Sequence, residues 1–136
     1  MRDIDVQTLW VRSNPASAAT VRHRMTASLA GLQVADDTIA DVALVATELV
    51  SNSVRHAMAL PDGGLSVDWD VTSDGVIVRV TDGGSSLRPT LQHAAPDAMG
   101  GRGLVIVNEI SDRWGVEECE EHVTVWAHLP GRTDTA

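Results

Sequence analysis

Three short stretches combine residue types that bind ions or exchange protons, and the first lies in a segment with helical periodicity. Glu48, Asn52 and His56 follow one another at intervals of four residues, so a helix would place them along one side. A carboxylate and an amide oxygen one turn apart can hold a hard cation such as Mg²⁺, directly or through its waters. Glu48 could also accept a proton. Taken alone, an isolated pair of this kind is more often part of a solvated helix face, because such faces are rich in polar residues.

The second stretch, Asp82-Gly83-Gly84, follows a run of alternating apolar residues that predicts a strand. An acidic side chain at a strand end can accept a hydrogen bond from an exocyclic amine, and adjacent glycines let a ligand approach the backbone closely. Asp-Gly sequences are also common in plain turns, so this stretch taken alone favours a turn.

The third stretch precedes a short apolar helix and consists of Gly100, Gly101, Arg102, Gly103 and Leu104. Glycines before a helix expose backbone N–H groups, and a helix start favours anions, so phosphate binding is a reasonable prediction. The run lacks the Gly-Lys-Ser/Thr of a Walker A motif and does not form the first turn of a βαβ unit. A flexible linker before an ordinary helix start is the alternative.

Periodicity along the chain predicts the elements that must position these stretches. We expect strands over 6–12, 65–72 and 76–81, helices over 16–29, from 36 to between 57 and 60, and from 104 to 110, and a final hairpin of strands 114–119 and 122–129. Residues 82–103 are rich in glycine and lack periodicity, which is typical of a functional or disordered loop. This order of elements predicts an α/β (α+β) fold, a two-layer sandwich with helices on one face of the sheet.

Length and composition indicate the broad class of protein. With 136 residues, 43% of them hydrophobic, the chain suits one compact domain over residues 1–136. The formal charge of −9 disfavours a general nucleic-acid binder but is compatible with a local basic site for a phosphorylated ligand. No apolar run approaches the ~20 residues of a membrane span. The single cysteine, Cys119, and the acidic residues within Met1–Trp10 predict a cytoplasmic protein without internal disulfides.

The three stretches together are far more specific than any one of them. Their order is Glu-x-x-x-Asn on a helix, Asp-Gly-Gly after a strand and Gly-x-Gly at a helix start, and it resembles the Bergerat-fold (GHKL) ATPase superfamily, which includes gyrase, histidine kinases and MutL. The chain is similar above all to the small stand-alone branch of anti-sigma-factor serine kinases and related actinobacterial regulators. The resemblance implies a mixed, mostly antiparallel sheet, extends from about residue 15 to 129, and is carried by 48–57, 80–84, 100–104, Trp114-Gly115 and Thr124-Val125-Trp126.

The resemblance implies a role in binding Mg-ATP for each matched position. Asn52 would coordinate the Mg²⁺ that bridges the ATP phosphates, and Glu48 would act as general base or orient the attacking nucleophile. Arg55 stands where relatives often place a basic residue towards the phosphates. Asp82 would accept a hydrogen bond from the adenine amino group, and Gly84 would let the base pack close to the backbone.

The same resemblance assigns the later residues to the phosphates and to the base. Gly101 and Gly103 would present their amides to the phosphates beneath a mobile lid, within a cofactor-binding run that includes Arg102 and Leu104. Thr124 would help to hold the adenine side through its hydroxyl or a bridging water.

As a function, the resemblance implies Mg-ATP-dependent phosphorylation of an anti-sigma-factor antagonist on serine or threonine, together with sequestration of a sigma factor. Relatives of this size often pair, so a homodimer is a further expectation. Ser86 stands where relatives carry a second glycine after Asp82, and no lysine precedes Thr124. These departures favour an alternative, a non-catalytic module that binds ATP and only sequesters a partner. A fragment of a histidine kinase would need a two-helix dimerisation hairpin that carries the phosphoacceptor histidine. The one predicted helix that contains His23 cannot form such a hairpin.

Overall fold

The computed structural model describes residues 6–84 and 102–131, and within them it shows five strands and three helices. In chain order these are β1 (Val6–Arg12), α1 (Ser17–Gly31), α2 (Asp36–His56), β2 (Gly64–Thr72), β3 (Gly75–Asp82), α3 (Arg102–Ile110), β4 (Arg113–Glu118) and β5 (Val123–Pro130). These bounds confirm the predicted elements to within a few residues. Among the described residues, no helix is both long and apolar enough to cross a membrane.

The strands form a single sheet in the order β1-β2-β3-β5-β4. Every pairing between the described strands is antiparallel, so the sheet shows no parallel pair there. β3 lies at the centre between β2 and β5, and its last residue, Asp82, is paired with Val123 at the start of β5. The end of the central strand therefore lies beside the start of its neighbour.

The sheet has one apolar face, which the helices cover. Along β2, Leu65, Val67 and Trp69 are buried, whereas the alternating residues are polar and only partly buried. The Trp69 indole N–H donates a hydrogen bond of 3.1 Å to the Ser28 hydroxyl, which ties the sheet to α1. Full burial of a Val or Leu side chain contributes about 1.5–3 kcal/mol, so burial of this face stabilises the packing of the helices on the sheet.

The longest helix, α2, packs against α1, α3 and β3. Asp36 and Asp37 lie in its first turn and Arg55 and His56 in its last, so the charges complement the helix dipole at both ends. The helix ends because Ala57 has extended backbone angles, φ −120° and ψ 165°. α2 thus forms the centre of the helical layer, and its side chains reach the end of β3.

Candidate functional site

The central strand β3 ends at a buried carboxylate, that of Asp82, which is 5% exposed. Its Oδ2 accepts a hydrogen bond of 2.6 Å from the Ser53 hydroxyl on α2, and its Oδ1 accepts one of 2.8 Å from the Gly84 N–H. Burial raises the pKa of the Asp82 carboxyl above its ordinary value, and the two hydrogen bonds oppose that shift. Since a carboxylate has about four lone-pair sites, the group can still accept a hydrogen bond from a ligand.

Ser53 is a residue of the site to which the sequence analysis gave no role. It follows Leu49 by four residues and is buried with it on the apolar side of α2. A hydroxyl at such a position needs a partner, because a buried polar group without a hydrogen bond costs about 1–3 kcal/mol. A serine at a buried helix position is therefore a sign of a hydrogen-bond partner elsewhere in the fold, but the sequence could not show that this partner lies 29 residues later.

The two glycines after Asp82 are held against the segment that follows α2. The Met58 N–H donates to the Gly84 carbonyl at 2.8 Å, and the Gly83 N–H donates to the Met58 carbonyl at 2.7 Å. Gly84 has a φ of 85°, which favours glycine, and a Cβ on Gly83 would overlap the Ala59 carbonyl oxygen. The plain-turn interpretation is therefore incomplete, because these glycines join two segments at the edge of the site.

Thr124 does not lie on the same side of the sheet as Asp82. It pairs with Thr81, and the two hydroxyl oxygens are 2.7 Å apart. Asp82 pairs instead with Val123, and because successive residues of a strand point to opposite faces, Val123 is the residue on the helix side. The predicted contact of Thr124 with a base at Asp82 is therefore corrected: the register of β5 directs its hydroxyl to the other face.

Glu48 and Asn52 lie one turn apart on α2, and both are partly buried. The Asn52 Oδ1 is buried and has no hydrogen-bond partner among the described residues. An unsatisfied amide oxygen beside a carboxylate fits the oxygen ligands that Mg²⁺ prefers. Within the described ranges no group of three or more His, Cys, Asp or Glu residues could hold a metal. A Mg²⁺ at Asn52 would therefore need ligands from water or from a bound phosphate.

The residues predicted to bind phosphate divide between α2 and α3. Arg55 is exposed in the last turn of α2, three residues after Asn52. Arg102 and Gly103 are the first residues of α3, so their N–H groups belong to the end that favours anions. The Leu104 side chain is 3% exposed and packs inside the protein, which leaves its backbone as the part that could meet a ligand. Gly101 and the predicted lid lie outside the described residues.

The helix α2 brings the two halves of the candidate site together. Asn52 presents an unpaired oxygen, and the next residue, Ser53, holds the carboxylate of Asp82. The cation ligand on α2 and the carboxylate of β3 that the next residue of α2 holds therefore lie at one end of this helix, and α3 packs against the same helix. This arrangement can bind a ligand that carries both an amino-substituted base and a phosphate chain.

Comparison with known proteins identifies a family and a similar fold. The family model described as the histidine kinase-like ATPase domain matches residues 11–128. None of the curated proteins compared with this chain matches it. The chain is similar to a solved structure of the RsbU and RsbW domains of Rv1364c from Mycobacterium tuberculosis, with 21% identity and a TM-score of 0.66. The match covers 95% of this chain and 35% of that one, so this chain spans about a third of its length. This likeness shows a shared fold.

Proposed function

Because this chain belongs to the histidine kinase-like ATPase domain family, we propose that residues 1–136 form one domain that binds Mg-ATP and transfers its terminal phosphoryl group to a partner protein. The observation that supports this most directly is the junction of α2 and β3. There the unpaired Oδ1 of Asn52 adjoins the hydrogen bond between Ser53 and Asp82.

Asp82 is the proposed acceptor for the adenine amino group. Its carboxylate is fixed by Ser53 and Gly84, so it meets the base without first losing side-chain freedom. Guanine would present a carbonyl oxygen at the same position, which a carboxylate repels. The buried carboxylate therefore favours adenine over guanine, and Gly84 leaves room for the base beside the backbone.

The phosphates would bind between the end of α2 and the start of α3. Asn52 would hold Mg²⁺ through its Oδ1, and Arg55 together with the N–H groups of Gly101, Arg102 and Gly103 would bind phosphate oxygens. When bound, Mg²⁺ neutralises the negative charge of the phosphate chain.

Glu48 is the proposed general base. It is partly buried one turn before Asn52, which would place it near the terminal phosphate. It would accept the proton of a serine or threonine hydroxyl while the hydroxyl oxygen forms a bond to the γ-phosphorus and the bond from that phosphorus to ADP breaks. Positioning supplies most of the catalysis in such a transfer, so the residues that hold the phosphates matter as much as the base.

The proposed partners are an anti-sigma-factor antagonist, which would be the phosphorylated substrate, and a sigma factor, which the domain would sequester. A phosphoryl group adds a charge of about −2 to the antagonist, and this would weaken its binding to the strongly acidic kinase. A cytoplasmic location and a homodimer are part of the same proposal, which the resemblance of the sequence to anti-sigma-factor kinases supports.

Thermal unfolding with Mg-ATP, with Mg-ADP and with buffer alone tests nucleotide binding. A ligand at 100 times its Kd stabilises the folded state by about 2.7 kcal/mol. We expect this gain for the wild type and for Asp41→Ala, which removes an exposed carboxylate of α2, but not for Asp82→Ala or Asn52→Ala. A wild type that gains no stability from either nucleotide contradicts the proposal.

Transfer of labelled γ-phosphate to a candidate antagonist tests the enzymatic half of the proposal. Glu48→Gln keeps the size of the side chain and removes the base, so we expect binding without transfer in this variant. If the wild type also binds Mg-ATP without transfer to any antagonist that it binds, the domain is a sequestering module and not a kinase.

A further inference from the structure

The residue beside Asp82 on the helix side of the sheet is Val123, at the start of β5. The two residues are register partners, and Val123 is 3% exposed. Directly paired residues on one face of an antiparallel sheet have their Cβ atoms about 4.5–5.5 Å apart. A ligand that reaches the Asp82 carboxylate from the helix side therefore meets the methyl groups of Val123 as well.

Val123 is also a neighbour of Gly84, the second residue after the end of β3. A Cβ added to Gly84 would lie 3.4 Å from the Val123 Cγ2, so the valine side chain lies beside this glycine. The Gly84 N–H is the donor to the Asp82 Oδ1. Asp82 and Gly84, the two residues proposed to bind the base, thus have Val123 as a common neighbour.

The side chains next to Asp82 in the sheet are apolar on both neighbouring strands. The register of β2 with β3 places Leu65 beside Asp82 on the side opposite Val123, and Leu65 is fully buried. The Ser53 hydroxyl and the Gly84 N–H, which are polar, both donate to the carboxylate itself. Leu65 and Val123 therefore border the carboxylate with hydrocarbon, which contacts a ligand through van der Waals interactions and not through hydrogen bonds.

We propose that Val123 is a specificity-determining residue: it packs against the edge of the base beside the amino group that Asp82 binds, and it holds the ring atom there without a hydrogen bond. This role rests on the proposed function, in which Asp82 binds the amino group of adenine. A ring nitrogen that is buried against a methyl group loses its hydrogen bond to water without a replacement, whereas a ring C–H has none to lose. The site therefore recognises the amino group and favours a C–H over a nitrogen at the ring position that faces Val123.

Two analogues of ATP test this role in the wild-type protein. In 1-deaza-ATP and 7-deaza-ATP a C–H replaces the ring nitrogen on one side or on the other side of the amino group. Calorimetry in the presence of Mg²⁺ measures the Kd of ATP and of both analogues. We expect the analogue whose C–H faces Val123 to bind at least as tightly as ATP. If both analogues bind more than about threefold more weakly than ATP, each ring nitrogen has a hydrogen-bond partner and the inference is overturned.

Val123→Thr keeps the shape of the side chain and adds a hydroxyl that can donate to a ring nitrogen. We expect this variant to weaken the binding of the same analogue relative to ATP by about three- to tenfold, because only ATP offers the acceptor. Val125→Thr is the matched control, since Val125 lies on the same face of β5 two residues further on and is also buried. An analogue-to-ATP ratio that stays unchanged in Val123→Thr, or that changes equally in Val125→Thr, would contradict the role of Val123.

Val123→Ile provides a second variant in case the buried hydroxyl of Val123→Thr prevents folding. It adds one methyl group at the edge of the proposed base site and introduces no polar atom. One methylene group in an apolar pocket changes affinity by about 10- to 200-fold, so we expect the Kd of Mg-ATP to rise at least about tenfold. Val125→Ile should bind Mg-ATP as the wild type does. Wild-type affinity in Val123→Ile would refute the packing of Val123 against the base.

The proposed function and the role of Val123 fail in different ways. A wild type that binds neither ATP nor either analogue would refute the proposed function, and the role of Val123 with it. A wild type that binds Mg-ATP but binds both analogues more weakly would refute the role of Val123 alone, and Asp82 would remain the proposed acceptor for the amino group.

Discussion

The buried carboxylate of Asp82 is unfavourable for folding and useful for binding. Its pKa is raised by burial, so the folded state holds the proton more tightly than the unfolded chain does. The stabilising contribution of this group is therefore fully present below its unfolded pKa and is lost as the pH rises through the folded one. At neutral pH the ionised group costs stability, which is typical of residues that a binding site retains for their chemistry.

Asp82→Asn should separate these two effects. The amide oxygen can still accept from Gly84 N–H, and the amide nitrogen can donate to the Ser53 hydroxyl, so the hydrogen bonds have replacements. We expect the Tm of the nucleotide-free protein to rise by about 2–4 °C at neutral pH, with the gain disappearing as the pH falls below about 4. The affinity for Mg-ATP should fall at least tenfold. A lower Tm at neutral pH would show that the ionised carboxylate stabilises the fold.

Thr124→Val tests the face of the sheet on which the base would bind. Valine has the same shape and removes only the hydroxyl, which contacts Thr81 on the face away from Asp82. We expect the Kd for Mg-ATP to change by less than about twofold and the stability to fall by about 0.5–1 kcal/mol, the usual net contribution of one hydrogen bond. Calorimetry measures the Kd, and urea unfolding measures the stability. A tenfold weaker affinity would restore the predicted role of Thr124.

Among the elements, α2 has two sides with different roles. One side packs in the core, and the other carries residues of the candidate site. Leu49, Val50 and Ser53 are buried against the sheet and α3, while Glu48 and Asn52 remain partly accessible one turn apart. The hydrogen bond from Ser53 to Asp82 joins the buried side of α2 to the end of β3, where the proposed binding site for the base begins.

Ser53→Ala should loosen that link. The change leaves the buried carboxylate of Asp82 with one donor fewer, so we expect a loss of about 1–3 kcal/mol in the free energy of unfolding and a weaker affinity for Mg-ATP. Ser51→Ala is the matched control, because Ser51 lies on the same helix and is only partly buried. Urea unfolding of both variants measures the difference. Equal stability of the two variants would mean that the Ser53 hydroxyl contributes nothing measurable.

Across the whole molecule, the elements were predictable from the sequence and three long-range contacts were not. Alternation in β2 and helical spacing in α2 are local patterns, and the structure confirms both. The hydrogen-bond partners Asp82 of Ser53 and Asp74 of His128 lie 29 and 54 residues away along the chain, and no periodicity reports such a distance. The face of Thr124 depends on the register of β5, where a shift of one residue reverses every side chain. Periodicity therefore predicted the elements, whereas the tertiary contacts decide which side chains lie together.

The net charge of the molecule predicts an unusual salt dependence for nucleotide binding. A formal charge of −9 repels a triphosphate at long range, whereas Arg55 and the start of α3 attract it only on close approach. Raising the ionic strength from about 0.01 M to 0.15 M shortens the Debye length from about 30 Å to 8 Å, and this screens the long-range repulsion first. We therefore expect the association rate of Mg-ATP, followed by stopped-flow fluorescence, to rise about two- to fivefold over that range.

Two controls identify the source of this effect. Adenosine carries no charge, so its association rate should not respond to salt. Arg55→Ala removes a local attraction for the phosphates. The association rate of Mg-ATP should therefore rise more steeply with salt in this variant, because there is less attraction for the salt to screen. A rate that falls with salt in the wild type would mean that the positive groups at the site, and not the acidic molecule as a whole, govern the approach of the nucleotide.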